Sequence, residues 1–201
     1  QVPLIIGCNR EETKAFFAFA DYSVFGSDAM YQEVTSVTSG IWKARGVDGM
    51  ARKLASHAGP PPVYAYELLW GAADESGRSV LPGQWGSKLG ACHGLDVSFF
   101  FGNWTFYSPL LTSMVFDEHN RLGREALSGS MQACVAQVVR TGDPSPAGSG
   151  LPEWEPWSNA ASAPKCALLN ADLSTASLVM STSELSEAGV PVPPPSMGTT
   201  R

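Results

Sequence analysis

The run Val2-Pro3-Leu4-Ile5-Ile6-Gly7 most restricts what this chain can fold into. It is short, apolar, rich in isoleucine and closed by glycine, the pattern of a strand buried in a core. A second strand is legible at Val63-Tyr64-Ala65-Tyr66-Glu67-Leu68-Leu69-Trp70, aromatic-rich and bounded by Pro60-Pro61-Pro62 and Gly71. Between them the pattern is helical. Asn9 can cap a short helix to about Ala20, with Glu12 three residues on in capping-box position. Residues 28 to 57 read as largely helical, with a break near Ser39-Gly40, and end at Gly59 and the prolines.

Beyond the second strand the order is less regular. Residues 71 to 92 read as a long glycine-rich loop, a length that is uncommon in compact domains and often functional. A second loop runs to about Phe116. A long helix is expected from about Asp117 to Arg140, with Leu122, Ala126, Met131, Val135 and Val138 near one face. Thr141-Gly142-Asp143-Pro144 stops it. Cys166-Ala167-Leu168-Leu169 reads as an edge strand, and the tail from about Ser186, with Pro191 and Pro193-Pro194-Pro195, as flexible.

Charge excludes several functions. Lys plus Arg is 13, Asp plus Glu is 19, and the net charge is −6. No basic cluster exists to displace counterions from a nucleic acid or to dock on an anionic membrane. No apolar run approaches the ~20 residues of a membrane span. No targeting segment is visible, and the compartment stays open. The four cysteines, Cys8, Cys92, Cys134 and Cys166, fit no zinc or redox spacing. Cys8 and Cys134 read as buried thiols.

Of three histidines, His57 and His119 read as surface residues. His93 sits in a Gly-x-x-His-Gly loop whose small neighbours let other groups approach the imidazole. Taken by spacing alone, Glu12 is the capping-box partner of Asn9.

Four segments resemble the type-B carboxylesterase family, which holds cholinesterases, para-nitrobenzyl esterases and some fungal lipases. Ile5-Ile6-Gly7-Cys8-Asn9-Arg10-Glu11-Glu12-Thr13-Lys14-Ala15-Phe16-Phe17 is similar to that family's strand, Asn-(Lys/Arg)-Asp-Glu-Gly and aromatic pair. Pro62-Val63-Tyr64-Ala65-Tyr66 through Trp70 is similar to its Pro-Val-Tyr-x-Tyr strand. Ala91-Cys92-His93-Gly94-Leu95-Asp96, ending in Phe101-Gly102-Asn103, resembles its His-Gly-x-(Glu/Asp) to Phe-Gly-Asn segment. Arg140-Thr141-Gly142-Asp143-Pro144 with Leu151-Pro152-Glu153-Trp154 resembles its Thr-Gly-(Asn/Asp)-Pro and Trp-Pro segment. The four occur in family order.

The resemblance implies the C-terminal part of an α/β-hydrolase fold: a mixed, mostly parallel sheet with flanking helices, completed by an upstream segment or chain. Residues 1–185 would form the C-terminal segment of one domain and 186–201 a flexible tail. It implies a Ser-Glu-His triad in which His93 is the base and Glu12 the acid. Asp96 and Asn9 would support the pair from behind, and Glu11 would be a solvated or supporting carboxylate. Thr13 stands where the family has glycine, and Cys134 where its helix often has tryptophan. Cys92 beside His93 would make the site thiol-sensitive. No serine here has glycine at both −2 and +2; Ser79 has Gly77 before it but Leu81 after it. The serine and oxyanion hole are therefore expected from an N-terminal portion of the same enzyme.

Phe16, Phe17, Phe99, Phe100, Phe101, Trp104, Phe106 and Tyr107 surround the two triad residues in sequence. Most should be core. Phe16, Phe17, Phe100, Phe101 and Trp104 are the candidates for an apolar pocket taking a neutral hydrophobic or aromatic ester. No metal or organic cofactor is implied. The alternatives are a non-catalytic adhesion module of cholinesterase type and a lipase acting on long-chain esters.

Overall fold

The computed structural model describes residues 2–19, 25–57, 59, 61–145, 147–148 and 150–190. Its frame is a four-stranded sheet. β1 (Leu4–Asn9) and β2 (Val63–Leu68) lie parallel, from Leu4 opposite Val63 to Asn9 opposite Leu68. β3 (Cys166–Ala171) pairs in parallel with the other side of β2, from Ala65–Cys166 to Leu68–Leu169. β4 (Ala176–Ser181) returns antiparallel on β3, so the order is β1-β2-β3-β4. All six β2 residues are buried, as befits a strand covered on both faces.

Two features of this sheet differ from the sequence reading. The Cys166–Leu169 segment is interior rather than an edge, and the edge is β4, which the sequence did not announce. Its run, Ala176-Ser177-Leu178-Val179-Met180-Ser181, is half small and polar, with Leu178 and Met180 packed inward and Val179 exposed. Asp172 Oδ1 sets the reversal, accepting from Ser174 N and Thr175 N at 2.7 Å each.

The first crossover also departs from expectation. No helix starts at Asn9. The ladder runs on, with Arg10 N donating to Leu68 O at 2.9 Å, and a turn over 10–13 precedes α1 (Lys14–Phe17). α2 (Asp28–Lys43) is capped by Ser27 Oγ, which accepts from Met30 N. The helix does not break at Ser39-Gly40. Gly40 stays helical and admits Val190, whose Cγ1 would lie 3.1 Å from a Cβ there. The irregularity falls later, in a π turn over Ala44–Asp48 before α3 (Gly49–Ala55). A buried Lys43–Asp48 pair (2.7 and 2.9 Å) closes that turn, and Asp48 Oδ2 also accepts from Leu185 N.

Three short helices occupy stretches read as loop: α4 (Trp85–Lys88), α5 (Leu95–Phe101) and α6 (Pro109–Val115). α6 obeys a rule visible in the sequence, Ser108 as cap and Pro109 at the first position. α7 (Arg121–Thr141) starts four residues later than read and ends at left-handed Gly142. Its buried face holds Arg124, Leu127, Ser128, Met131 and Cys134, whereas Leu122 is exposed. The apolar stripe misled because polar residues share this face. Arg124 stacks over Trp104 and Phe116, and Ser128 Oγ donates to Phe99 O at 2.6 Å.

The core therefore has two layers. Trp70, Phe99, Leu127, Met131 and Trp154 pack on one face of the sheet with α5 and α7. Val47, Ala51, Trp157 and Cys166 pack on the other with the π turn and α3. All four cysteines are buried and free, and His57 and His119 are exposed. Of the tail, Glu187–Gly189 forms a 3-10 turn, Arg45 pairs with Glu187, and Val190 is buried. Residues 191–201 lie outside the described residues. No described helix is long and apolar enough to cross a membrane.

Candidate active site

The turn after β1 carries Glu12, and the loop before α5 carries His93. Both lie beyond the carboxyl ends of the parallel strands, where α/β sheets place their chemistry. His93 N donates to Glu12 O at 3.2 Å, so the backbones touch before the side chains do. Glu12 Oε1 accepts from Asn9 N at 2.7 Å, and Oε2 meets His93 Nδ1 at 2.6 Å. The local backbone contact and the imidazole contact are thus made together, one by each carboxylate oxygen. Asn9 itself does not cap a helix.

The Glu12 side chain is 4% exposed and that of His93 is 40% exposed. Burial pushes the Glu12 carboxyl above its ordinary range. The hydrogen bonds from Asn9 and His93 pull the other way, and the charge of Asp96 adds to the rise. With Glu12 ionised, Oε2 accepts from Nδ1–H and the lone pair is left on Nε2, the tautomer a general base requires.

Asp96 and Asn9 brace the pair. Asn9 Nδ2 donates to Asp96 Oδ1 at 3.1 Å and Tyr66 OH donates to Oδ2 at 2.7 Å, which joins the ends of β1 and β2 to the start of α5. Burial first, and then the Asp96 charge, push the Tyr66 phenol far up, so it stays a donor. Thr13 ties the acid's turn to α2. Its N donates to Ser39 Oγ at 3.1 Å, and its hydroxyl meets Thr35 O and Thr38 Oγ1. Gly94 follows His93 in left-handed geometry (φ 79°), and a Cβ there would sit 2.8 Å from Tyr107 Oη.

An apolar groove of about 360 Å³ opens beside His93, lined by Ala15, Phe16, Phe19, Leu89, Phe106, Tyr107 and Leu111. Tyr107 borders the histidine directly, its OH donating to His93 O at 3.2 Å. The Phe16 ring lies 5.3 Å from the imidazole and the Trp42 ring 5.4 Å. Of the five aromatic pocket candidates, only Phe16 lines this groove. Phe17 packs on Phe25, Phe100 on Tyr66, and Trp104 between Phe99 and Phe116, while Phe101 is 78% exposed. Each of the three packed rings is taken by another aromatic ring, which proximity in sequence to Glu12 and His93 could not show.

Sequence reasoning missed Trp42, which reaches the site from the far end of α2 and carries no local signal. It also missed Phe19, for which the i+3 spacing from Phe16 was available. Cys92 is fully buried, and burial pushes its thiol well above the usual range, so thiol sensitivity at the site is not expected. Ser79 serves its own loop, with Oγ donating to Gly71 O and accepting from Leu81 N.

The frame is a mostly parallel sheet with helices on both faces, and a buried carboxylate meets an imidazole beyond the strand ends. Solved esterases share the fold. Juvenile hormone esterase from Manduca sexta, with OTFP covalently attached, matches 90% of this chain at TM-score 0.51 and 15% identity. EstA from Aspergillus niger matches 93% at 0.51 and 16%, and a PNB esterase 89% at 0.50 and 18%. The chain spans only 38%, 38% and 36% of those three proteins. No family profile and no curated protein matches the sequence. The likeness is one of fold: the chain folds like the part of those esterases that it spans.

Proposed function

We propose that this chain supplies the acid and base of a serine carboxylesterase, with Glu12 as triad acid and His93 as general base. The 2.6 Å Glu12–His93 contact, with the second carboxylate oxygen held by Asn9 N, carries the reading. The nucleophilic serine, in a Gly-x-Ser-x-Gly elbow, and the oxyanion hole come from an N-terminal portion of the same enzyme, as a separate chain or segment. Among the described residues the outer edge of β1 has no strand partner, which gives such a portion a place to add.

His93 Nε2 takes the serine proton as the hydroxyl oxygen bonds to the ester carbonyl carbon. Glu12 holds the ring and stabilises its cationic form. The same proton passes to the departing alcohol as the C–O bond breaks, leaving an acyl-serine. Water then attacks the acyl carbon, with His93 again taking and returning a proton. The groove supports neutral hydrophobic or aromatic esters, because its lining offers no charged side chain.

An adhesion module has no need of a buried carboxylate hydrogen-bonded to an accessible imidazole, and nothing here favours that reading. His93→Ala in the assembled enzyme should lower kcat by roughly 10³-fold or more. A fluorophosphonate label should mark the nucleophile-bearing portion and not residues 1–201. Ester hydrolysis at wild-type rate by the variant would sink the assignment.

A further inference from the structure

Beside the Glu12–His93 pair lies a second contact between the same two segments. Glu11 N donates to Ala91 O at 2.9 Å, and Ala91 N donates to Glu11 Oε2 at 3.0 Å. Both backbone groups of Ala91, two residues before His93, are therefore taken by one glutamate. The other Glu11 oxygen, Oε1, pairs with Lys14 Nζ at 2.6 Å. Lys14 also donates to Ser87 O at 2.9 Å. Its side chain is only 3% exposed, a rare position for lysine unless the charge is paired. Gly90 completes the arrangement. It adopts φ +53°, and a Cβ there would fall 1.7 Å from Glu11 Oε2, so the carboxylate fills the space a side chain would need.

We propose that Glu11 and Lys14 act as a positioning clamp, fixing residues 87–91, from the end of α4 onward, to the turn that carries Glu12 and so setting where His93 stands relative to Glu12. This rests on the catalytic reading of that pair. The clamp and the pair are adjacent on both sides: Glu11 precedes Glu12, and Ala91 precedes Cys92-His93. Nothing else among the described hydrogen bonds holds residues 90–91 from a side chain. Neither clamp residue touches the imidazole, so both act through the loop.

The test uses three variants of the assembled protein. Glu11→Gln keeps the volume but gives up one of the two acceptor oxygens. Lys14→Met removes the charge and both lysine contacts. Lys14→Arg keeps a cation within reach. Activity is read as kcat and KM per phosphonate-titrated site, melting temperature reports stability, and ¹⁵N-edited NMR follows the His93 ring Nδ1–H.

The clamp requires kcat to fall about tenfold or more in Glu11→Gln and Lys14→Met, since small misplacements of a base are costly. KM should hold within about twofold, and the Nδ1–H resonance should shift or broaden. Lys14→Arg should recover part of kcat. Lower melting temperatures with unchanged kcat and an unchanged Nδ1–H signal would overturn the proposal and leave a purely structural ion pair. If Lys14→Met does not fold, the isosteric Glu11→Gln decides. If the wild-type protein hydrolyses no ester, the functional reading fails, and the Nδ1–H signal alone judges the clamp.

Discussion

Replacing Glu12 with glutamine keeps the outline of the turn and removes its charge, so the outcome can be worked from two distances. The wild-type oxygens accept from Asn9 N at 2.7 Å and meet His93 Nδ1 at 2.6 Å. Glutamine has one oxygen. With that oxygen on Asn9 N, the amide NH₂ faces Nδ1, which must accept. The ring proton then sits on Nε2 and the base is lost. Turning the amide over sets NH₂ against Asn9 N–H, two donors in a nearly solvent-free site, which costs about 1–3 kcal/mol. The first arrangement wins. Reaching the productive tautomer costs that ~1–3 kcal/mol, and the amide no longer stabilises the imidazolium as the carboxylate does; together these should raise the barrier by about 4–5.5 kcal/mol, a 10³- to 10⁴-fold loss in kcat.

Stability should move differently. Burial holds the native Glu12 carboxyl above its unfolded value. Its contribution is therefore greatest at low pH, where both states are protonated, and declines as pH rises from the unfolded to the native value. Above that it stays flat. Glutamine has no such slope, so the variant should gain on wild type across that window and keep the advantage at neutral pH. The assays are ester hydrolysis per titrated site and urea unfolding at pH 4, 6 and 8. Retention of more than a tenth of kcat would refute the tautomer argument. An advantage that shrinks with rising pH would refute the burial argument.

Two further outcomes follow from packing. Gly123→Ala would set a Cβ 1.8 Å from Asp172 O, so α7 and the β3–β4 turn must separate, at about 3 kcal/mol or more in urea unfolding; a loss under ~1 kcal/mol would refute that close approach. The thiols of Cys8, Cys92, Cys134 and Cys166 are all raised by burial, that of Cys166 to about 12. None should react with a disulfide reagent at pH 8 on the minute scale, whereas guanidinium should release all four, and fast native modification of Cys92 would contradict its burial.

β2 was legible because burial on both faces produces a continuous apolar run at Val63–Leu68, and β1 because its Leu4-Ile5-Ile6 run is apolar and rich in β-branched isoleucine although only partly buried. β4 was not, because serine at every third or fourth place hides a strand that buries only one face. The helical face of α7 was misjudged for a related reason: Arg124 is buried by ring stacking, which no hydrophobic pattern encodes. Glu12 and His93 were legible through motif resemblance, and Glu12 also through its spacing from Asn9, since its two oxygens serve both purposes. Trp42, Phe19 and the Lys14 charge were not. Their places depend on how α1, α2 and residues 87–91 meet, a fact of tertiary packing.

The long crossovers have a kinetic consequence. The β3–β4 hairpin closes over a few residues, but β2 must find β3 across nearly half the chain, and β1 must find β2 across residues 10 to 62. Pairings between distant residues are slow, because chain entropy is lost before contacts repay it. The hairpin is thus the early event on refolding, the β1–β2 ladder comes later, and the β2–β3 ladder, which spans the greatest separation, comes last. Glu12 sits just past the end of the β1–β2 ladder, 81 residues from His93, so the two meet only once that ladder has formed. Their contact then serves as a clock for that step, and a chain that holds only its hairpin carries the histidine without its carboxylate.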